Sequence, residues 1–165
     1  DIITAPASVR SVGEAVMAAD RLLETAKAQA DAQVSERNAR EKAELMRQLG
    51  MDEGESATKA SRTMIRQLEE DQKRRSKRAL TDAIDRALID LLAIYRDVLM
   101  VQVGGDGELI NTDLSDLVHE IAKDSTPRQT FARVDHIETA RKRLVSNGNP
   151  LLVLEDMAIS LRPQA

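Results

Sequence analysis

Two adjacent rows of apolar side chains run through residues 80–99 at the three- and four-residue spacing of an α-helix. One row contains Leu80, Ile84, Ala87, Leu91, Ile94 and Val98, and the other contains Ala83, Leu88, Leu92, Tyr95 and Leu99. A coiled-coil seam needs one narrow row, whereas a wide stripe is typical of a helix with neighbours on more than one side. The pattern therefore predicts a central bundle helix with three or more helices around it.

A first long helix is predicted from about residue 9 to Leu49, because apolar residues recur every three or four positions behind a possible capping box of Ser11 and Glu14. Its apolar stripe thins between residues 31 and 44. Gly50 and the acidic, small-residue stretch after it predict a loop, and the second long helix is expected from Arg62 onward. The two helices would form a hairpin whose polar part covers residues 31–66.

Shorter helices are predicted after the GGDGE run at 104–108. They would begin near Asn111 or Thr112, at Thr126 with a capping-box Gln129, and at Asn149 before Pro150. Their expected apolar faces contain Leu114, Leu117, Val118, Ile121, Phe131, Val134, Ile137, Ala140, Leu144, Val145, Leu151, Leu154, Met157 and Leu161. The predicted fold class is all-α, a helical bundle of about five to six helices with a long helical hairpin.

Composition argues against several classes of function. The chain has 165 residues, no Cys, and aromatic residues at 1%, so a disulfide framework, a thiolate site and an aromatic core are excluded. It has neither a stretch long and apolar enough to span a membrane nor the pattern of a signal peptide. These features predict a soluble protein and fit an intracellular, reducing setting, and a start at Asp1 rather than Met suggests a processed chain or a piece of a longer one.

The sequence contains little that resembles an active site. There is no GxxxxGK[ST] phosphate loop and no GxSxG elbow, and neither His119 nor His136 lies in an HExxH context. Asp116 and His119 share a helix face, so a lone metal or acid–base pair is conceivable, although a surface or cap interaction is favoured. The acidic cluster at 52–55 lacks the spacing of a calcium loop. No catalytic residue, metal site, cofactor or small-molecule substrate is predicted.

A basic cluster at residues 72–78, QKRRSKR, is the one local charge anomaly. Its cations are candidate phosphate contacts, and acidic residues 69–71 could also pair with the first three at helical spacing. A solvated, salt-bridged turn is the favoured interpretation, and a nucleic-acid-binding helical protein is the alternative. The candidate phosphate contacts are Lys73, Arg74, Arg75, Lys77 and Arg78.

Three stretches of the second half resemble one family. They are LEEDQKRRSKRALTDAIDRALIDLLAIYRDVLMVQVG at 68–104, LIN-x-D at 109–113, and RKRLVSNGNPLLVLEDMAISLRP at 141–163. Together they resemble the C-terminal domain of the delta-prime subunit of the bacterial DNA polymerase III clamp loader, particularly its actinobacterial form. The resemblance covers roughly residues 8–163, after a linker at 1–8. Gly148 departs from it, because a larger residue is expected there, and the 31–66 hairpin is an elaboration.

The resemblance implies a single C-terminal helical collar domain without catalytic activity, whose upstream AAA+ module is absent from this chain. In such clamp loaders, the collar holds delta, delta-prime and the tau or gamma subunits together in a pentamer. The pentamer loads the sliding clamp onto primed DNA, as part of the holoenzyme that carries DNA-directed DNA polymerase activity. The implied partners are thus the tau/gamma and delta subunits, with clamp and primed DNA met only through the full complex, in the cytoplasm and at the nucleoid-associated replisome.

Interface contacts are expected on exposed apolar positions of the last two helices and around the C-terminal end of the Tyr95 helix. The arginines beside the family motifs, Arg96, Arg141 and Arg143, are expected to add polar contacts. The full set of motif and interface candidates is Tyr95, Arg96, Asp97, Arg141, Arg143, Asn147, Asn149, Pro150, Leu154 and Glu155.

Overall fold

The computed structural model describes residues 11–50, 58–105 and 107–162. Within these ranges every regular element is helical, which confirms the all-α prediction. The elements are α1 (Val12–Gln48), α2 (Lys59–Gln102), a 3₁₀ turn (Thr112–Leu114), α3 (Ser115–Lys123), α4 (Pro127–Val145) and α5 (Pro150–Ser160). The acidic cluster at 52–55 lies outside the described residues.

The predicted starts at Ser11, Thr126 and Asn149 are confirmed by their hydrogen bonds. By contrast, α2 begins three residues before the predicted Arg62, and α3 begins at Ser115, after a 3₁₀ turn at the predicted position. The backbone N–H of Ser11 donates to Glu14 Oε2 and that of Glu14 donates to Ser11 Oγ, both at 3.1 Å. Thr126 and Gln129 form the corresponding box at α4, with Pro in the first turn. These side chains satisfy backbone N–H groups that the first helical turn leaves without partners.

The predicted helix ends also hold. Gly50 and Gly104, which follow α1 and α2, have positive φ angles of 63° and 66°. Glycine adopts this left-handed conformation without a steric penalty, which suits it to the residue after a helix.

The chain divides into two compact units, and the division falls within α1 and α2. Among the described residues, unit 1 comprises 11–26, 84–105 and 107–162, and unit 2 comprises 27–50 and 58–83. In unit 1, the α2 stripe from Ile84 to Val98 is buried together with small residues of α1 and apolar residues of α3, α4 and α5. The prediction of a central helix with several neighbours therefore holds in unit 1.

The predicted apolar face of α4 was wrong at both ends. Phe131 and Val145 are 58% and 78% exposed, while Thr130 and Arg133 are buried. The buried face repeats every three or four residues from Thr130 through Ile137 to Leu144. Phe131 and Val145 each follow a buried residue by one position, so they lie about 100° around the helix from the core.

Unit 2 is an antiparallel pairing of the second part of α1 with the first part of α2. Gln72 Nε2 donates to the Asn38 carbonyl at 2.8 Å, and Lys42 Nζ lies 3.6 Å from Glu69 Oε1. Its apolar contacts are thin, with a small cluster of Ala30, Val34 and Ala79 and the partly buried Leu80. Polar pairing thus contributes to holding the predicted hairpin together.

Candidate functional site

Asp97, in the Tyr-Arg-Asp motif, anchors the turn that follows α2. Its side chain is fully buried in unit 1. Its carboxylate accepts hydrogen bonds from Ile110 N at 3.1 Å, Asn111 N at 2.8 Å, Asn111 Nδ2 at 2.9 Å and Arg96 Nη1 at 2.7 Å. The aspartate of the Tyr-Arg-Asp motif therefore holds Ile110 and Asn111, the second and third residues of the LIN-x-D stretch.

Burial by itself would raise the pKa of Asp97. The backbone N–H groups of Asn111 and Ile110, the Arg96 guanidinium and the Asn111 amide more than offset this effect, and they hold the pKa of the carboxyl below its usual value. The group is therefore a charged structural anchor. A proton donor or acceptor for catalysis would instead need a pKa close to the working pH.

Tyr95 is a core residue whose hydroxyl has no hydrogen-bond partner among the described residues. Burial raises its pKa to about 12, against the opposing influence of the Arg133 charge. The ring therefore contributes apolar packing, and its hydroxyl oxygen is desolvated without compensation.

Replacing Tyr95 by phenylalanine is accordingly expected to leave the free energy of unfolding unchanged or to raise it by up to about 1 kcal/mol. The substitution removes an unpaired buried polar atom and keeps the ring. Urea unfolding followed by circular dichroism measures the change. A loss of stability greater than about 1 kcal/mol would mean that the hydroxyl has a partner.

Arg141 is engaged within the chain. Its guanidinium forms two hydrogen bonds with Asp85 on α2, Nε to Oδ1 at 2.7 Å and Nη2 to Oδ2 at 3.2 Å. A third links Nη1 to Glu138 Oε1 at 3.0 Å. These bonds raise the pKa of Arg141, chiefly through Asp85. The groove of about 390 Å³ beside it is lined by Asp85, Glu138, Arg141, Lys142, Val145 and Ser146.

The connection between α4 and α5 is a tightly bonded turn. Asn147 takes the left-handed conformation, with φ 69°. The backbone N–H of Asn147 donates to Leu144 O at 3.1 Å, and that of Gly148 donates to Arg143 O at 2.8 Å. This pair of bonds is a Schellman motif. Asn149 Oδ1 then accepts from Leu151 N and Leu152 N at 3.0 and 3.3 Å and caps α5.

Gly148 has a steric reason to be glycine, although a larger residue was expected there. A Cβ at this position would lie 2.8 Å from the Arg143 carbonyl oxygen and 3.0 Å from Val153 Cγ2. The first of these neighbours belongs to the backbone of α4, which has little freedom to move. A glycine therefore allows the turn to close tightly against α4 and α5.

The ten motif and interface candidates differ in their exposure, and therefore in their access to a partner. Tyr95, Asp97 and Leu154 are buried in unit 1, whereas Arg96, Arg143, Asn147 and Asn149 are exposed and Arg141, Pro150 and Glu155 are half-buried. Arg96 also donates to Glu108 O at 3.1 Å, and Arg143 Nη1 lies 2.5 Å from Asp156 Oδ2. The three arginines thus have partners within the chain, and their contacts with another subunit stay a prediction.

Large apolar side chains are exposed on α4, on α5 and near the end of α2. Phe131, Val145 and Leu152 belong to the last two helices, and Leu152 is 63% exposed. Val103 and Ile110 are exposed just beyond α2. These are the regions in which leftover apolar surface was expected. Leu152 itself was missed, because neighbouring apolar residues of α5 face the core and the pattern does not distinguish it from them.

The basic cluster at 72–78 does not present all its cations in the same way. Arg75 is half-buried, and its Nη1 donates to Asn38 Oδ1 at 2.7 Å and to Glu41 Oε2 at 2.8 Å across the hairpin. The hydrogen bond from Arg75, with a second from Arg37, lowers the pKa of Glu41 to about 2. Arg75 therefore belongs to the hairpin interface, while Lys73, Arg74, Lys77 and Arg78 are exposed.

The acidic residues before the cluster pair partly as predicted. Arg74 lies 3.9 Å from Glu70 and 3.8 Å from Asp71, and Glu69 instead meets Lys42 of α1.

His119 Nδ1 lies 2.7 Å from the Ser115 carbonyl oxygen, which is a local contact within one helical turn.

In residues 11–50, 58–105 and 107–162, no group of three His, Asp or Glu side chains is arranged to hold a metal ion. In the same ranges, no helix has the length and apolar character needed to cross a membrane.

Comparison with known proteins shows a partial similarity to a replication protein. The chain is 36% identical over 72 residues to DNA polymerase III subunit delta′ of Bacillus subtilis (strain 168). The aligned stretch is 44% of this chain and 22% of that relative, so the chain spans less than a quarter of the relative's length. No family model and no solved structure matches. The similarity supports a delta-prime-like relationship.

Proposed function

We propose that the chain is a non-catalytic oligomerisation domain, the collar domain of an actinobacterial-type clamp-loader delta-prime subunit. The observation that carries the proposal is the 36% identity to a delta′ subunit. The role would be to help assemble the pentamer that loads the sliding clamp onto primed DNA in the bacterial cytoplasm. Its direct partners would be the tau/gamma and delta subunits.

The chemistry of unit 1 is consistent with a structural role. Asp97 binds the turn that follows α2, and Arg141 links α4 to Asp85 of α2. The pKa of Asp97 is lowered, away from the range useful for proton transfer. A domain of this kind contributes shape and surface to a complex. Its interaction with partners would then depend on side chains that unit 1 leaves exposed.

The exposed apolar residues of α4 and α5 are the proposed contact surface. Phe131, Val145 and Leu152 are each more than half exposed, although apolar side chains of this size are stabilised by burial. Apolar and aromatic side chains dominate the centres of protein interfaces. We therefore assign the first contact with neighbouring subunits to these three residues, with Arg143 as a polar contributor at the rim.

A triple variant tests this assignment. Replacing Phe131, Val145 and Leu152 together by aspartate is expected to weaken binding to the tau/gamma and delta subunits by at least about 100-fold, because interface anchors are each worth about 1–2 kcal/mol or more. Binding is measured by co-elution with the purified subunits across a concentration series.

The matched control replaces Met17, Met64 and Ile89 by aspartate. These residues are also large, apolar and exposed, but lie on α1 and α2. The control is expected to bind like the unaltered chain. Equal binding by both variants would contradict the assignment of the surface, and circular dichroism establishes that each variant is folded.

A further inference from the structure

Charge is unevenly distributed along the chain. The whole sequence has a net charge of −4, whereas residues 58–83 contain eight basic and four acidic residues. This stretch includes the unit 2 part of α2, so the excess positive charge is carried by one half of a hairpin. Such local segregation is the electrostatic feature expected of a surface that meets a polyanion.

Helical register collects many of these cations on one face of α2. Arg62, Arg66, Lys73 and Lys77 follow one another at steps of four, seven and four residues, and these spacings return to the same side of an α-helix. Arg74 and Arg78 lie one position further on and flank this row. All six side chains are exposed.

The opposite side of the same helix segment is used for packing. Ser61, Gln72, Arg75 and Ala79 are buried or half-buried, and Gln72 and Arg75 donate hydrogen bonds to α1. Because α2 is fixed by this inner side, its basic face points away from α1. The candidate phosphate contacts that follow from the structure therefore differ from those predicted from the sequence. They exclude Arg75 and include Arg62 and Arg66.

We propose that this basic face, defined by Arg62, Arg66, Lys73, Arg74, Lys77 and Arg78, contacts the phosphate backbone of duplex DNA without reading its sequence. From Arg62 to Arg78 the face extends about 24 Å at about 1.5 Å per residue. This length corresponds to about seven base pairs of B-DNA. The proposed collar function does not require such a contact, so the two proposals are independent and are tested separately.

A duplex fits this face better than a single strand. Tyr95 and Phe131 are the two aromatic residues of the whole sequence, and both belong to unit 1. Unit 2 therefore lacks the aromatic platforms on which single-strand binders stack bases. Two acids pair with cations of this face: Glu70 lies 3.2 Å from Arg66 and 3.9 Å from Arg74, and Asp71 lies 3.8 Å from Arg74. These ion pairs are exposed, so a phosphate can compete with the carboxylates for the arginines.

The test measures binding of the chain to a fluorescent 20-base-pair duplex by anisotropy, from low to moderate salt. The test variant replaces Arg62, Arg66, Lys73 and Lys77 by glutamine. The matched control replaces Arg37, Arg40, Lys42 and Arg47 by glutamine, which removes the same charge from α1 of the same unit. Glutamine has a helix propensity close to those of lysine and arginine, so both variants should stay folded.

The unaltered chain is expected to bind the duplex more weakly as salt rises. The test variant should bind at least about tenfold more weakly, with a salt slope smaller by up to about 3.6, because each of the four lost phosphate contacts contributes about 0.9 to that slope. The control should change affinity by less than about threefold. The proposal is overturned if the unaltered chain does not bind at low salt, if both variants weaken alike, or if a single strand of equal length is bound more tightly.

Discussion

Replacing Asp97 by alanine is expected to lower the free energy of unfolding by about 3–5 kcal/mol. The carboxylate is fully buried and accepts four hydrogen bonds, two of them from backbone N–H groups of the turn at Ile110 and Asn111. Alanine leaves those donors without their acceptor inside the protein, and each unsatisfied group carries its own desolvation cost. Urea unfolding followed by circular dichroism measures the loss.

Two further substitutions isolate the cause. Asp90→Ala changes an exposed aspartate of the same helix and should alter stability by less than about 0.5 kcal/mol. Asp97→Asn keeps one acceptor oxygen and should cost less than alanine. If Asp97→Ala is no more harmful than Asp90→Ala, the carboxylate does not hold the turn.

The same carboxylate should make stability depend on pH. Because its pKa is lower in the folded chain than in the unfolded one, its contribution is present above the unfolded pKa of about 3.9. The contribution is lost as the pH falls through the folded value. Stability should therefore decrease on acidification below about pH 5, and the decrease should be smaller in Asp97→Asn.

Replacing Gly148 by valine is expected to destabilise the chain by about 3 kcal/mol, the second-largest effect. The new Cβ would lie 2.8 Å from Arg143 O and 3.0 Å from the buried Val153 side chain. Relief of this overlap requires the Schellman turn to open or α5 to shift, and overpacking of this kind costs about 1–3 kcal/mol before the β-branch is counted. Thermal and urea unfolding both report the change.

Gly13 provides the matched glycine control. A Cβ at Gly13 would meet no atom within 4 Å, and the residue lies in the first turn of α1. Gly13→Ala should therefore stabilise the chain by about 0.5 kcal/mol, because alanine loses less backbone entropy in a helix. The free energy of unfolding is therefore expected to fall in Gly148→Val and to rise in Gly13→Ala. A neutral Gly148→Val would show that the turn accommodates a side chain.

Local signals in the sequence predict the starts of α1, α4 and α5 correctly. Ser11, Thr126 and Asn149 act within three residues of themselves, so their roles depend on short-range geometry that the sequence contains. The prediction for α4 is wrong because apolarity alone assigns Phe131 to the core, whereas its side chain is 58% exposed. Burial of Thr130 and Arg133 is decided by the direction in which neighbouring helices lie, which α4 alone does not specify.

The roles of Asp97 and Arg75 depend on longer-range contacts. Asp97 accepts hydrogen bonds from backbone N–H groups 13 and 14 residues away. Nearly every residue has such a group, so the residue types do not indicate which ones Asp97 binds. Arg75 meets Glu41 at a separation of 34 residues, so its partner follows from the register of the hairpin. Charge alone places Arg75 among the candidate phosphate contacts, whereas in the structure its guanidinium donates hydrogen bonds to Asn38 and Glu41 of α1.

The most direct test of the proposed function is the molar mass of the assembly. The chain is mixed with purified tau/gamma and delta subunits from the same organism at moderate salt, and each peak from size-exclusion chromatography is measured by light scattering. The collar proposal predicts a species that contains this chain and is heavier than the other subunits assembled without it. Elution of the chain as a separate peak, beside subunits that assemble with full-length delta-prime, would contradict the proposal.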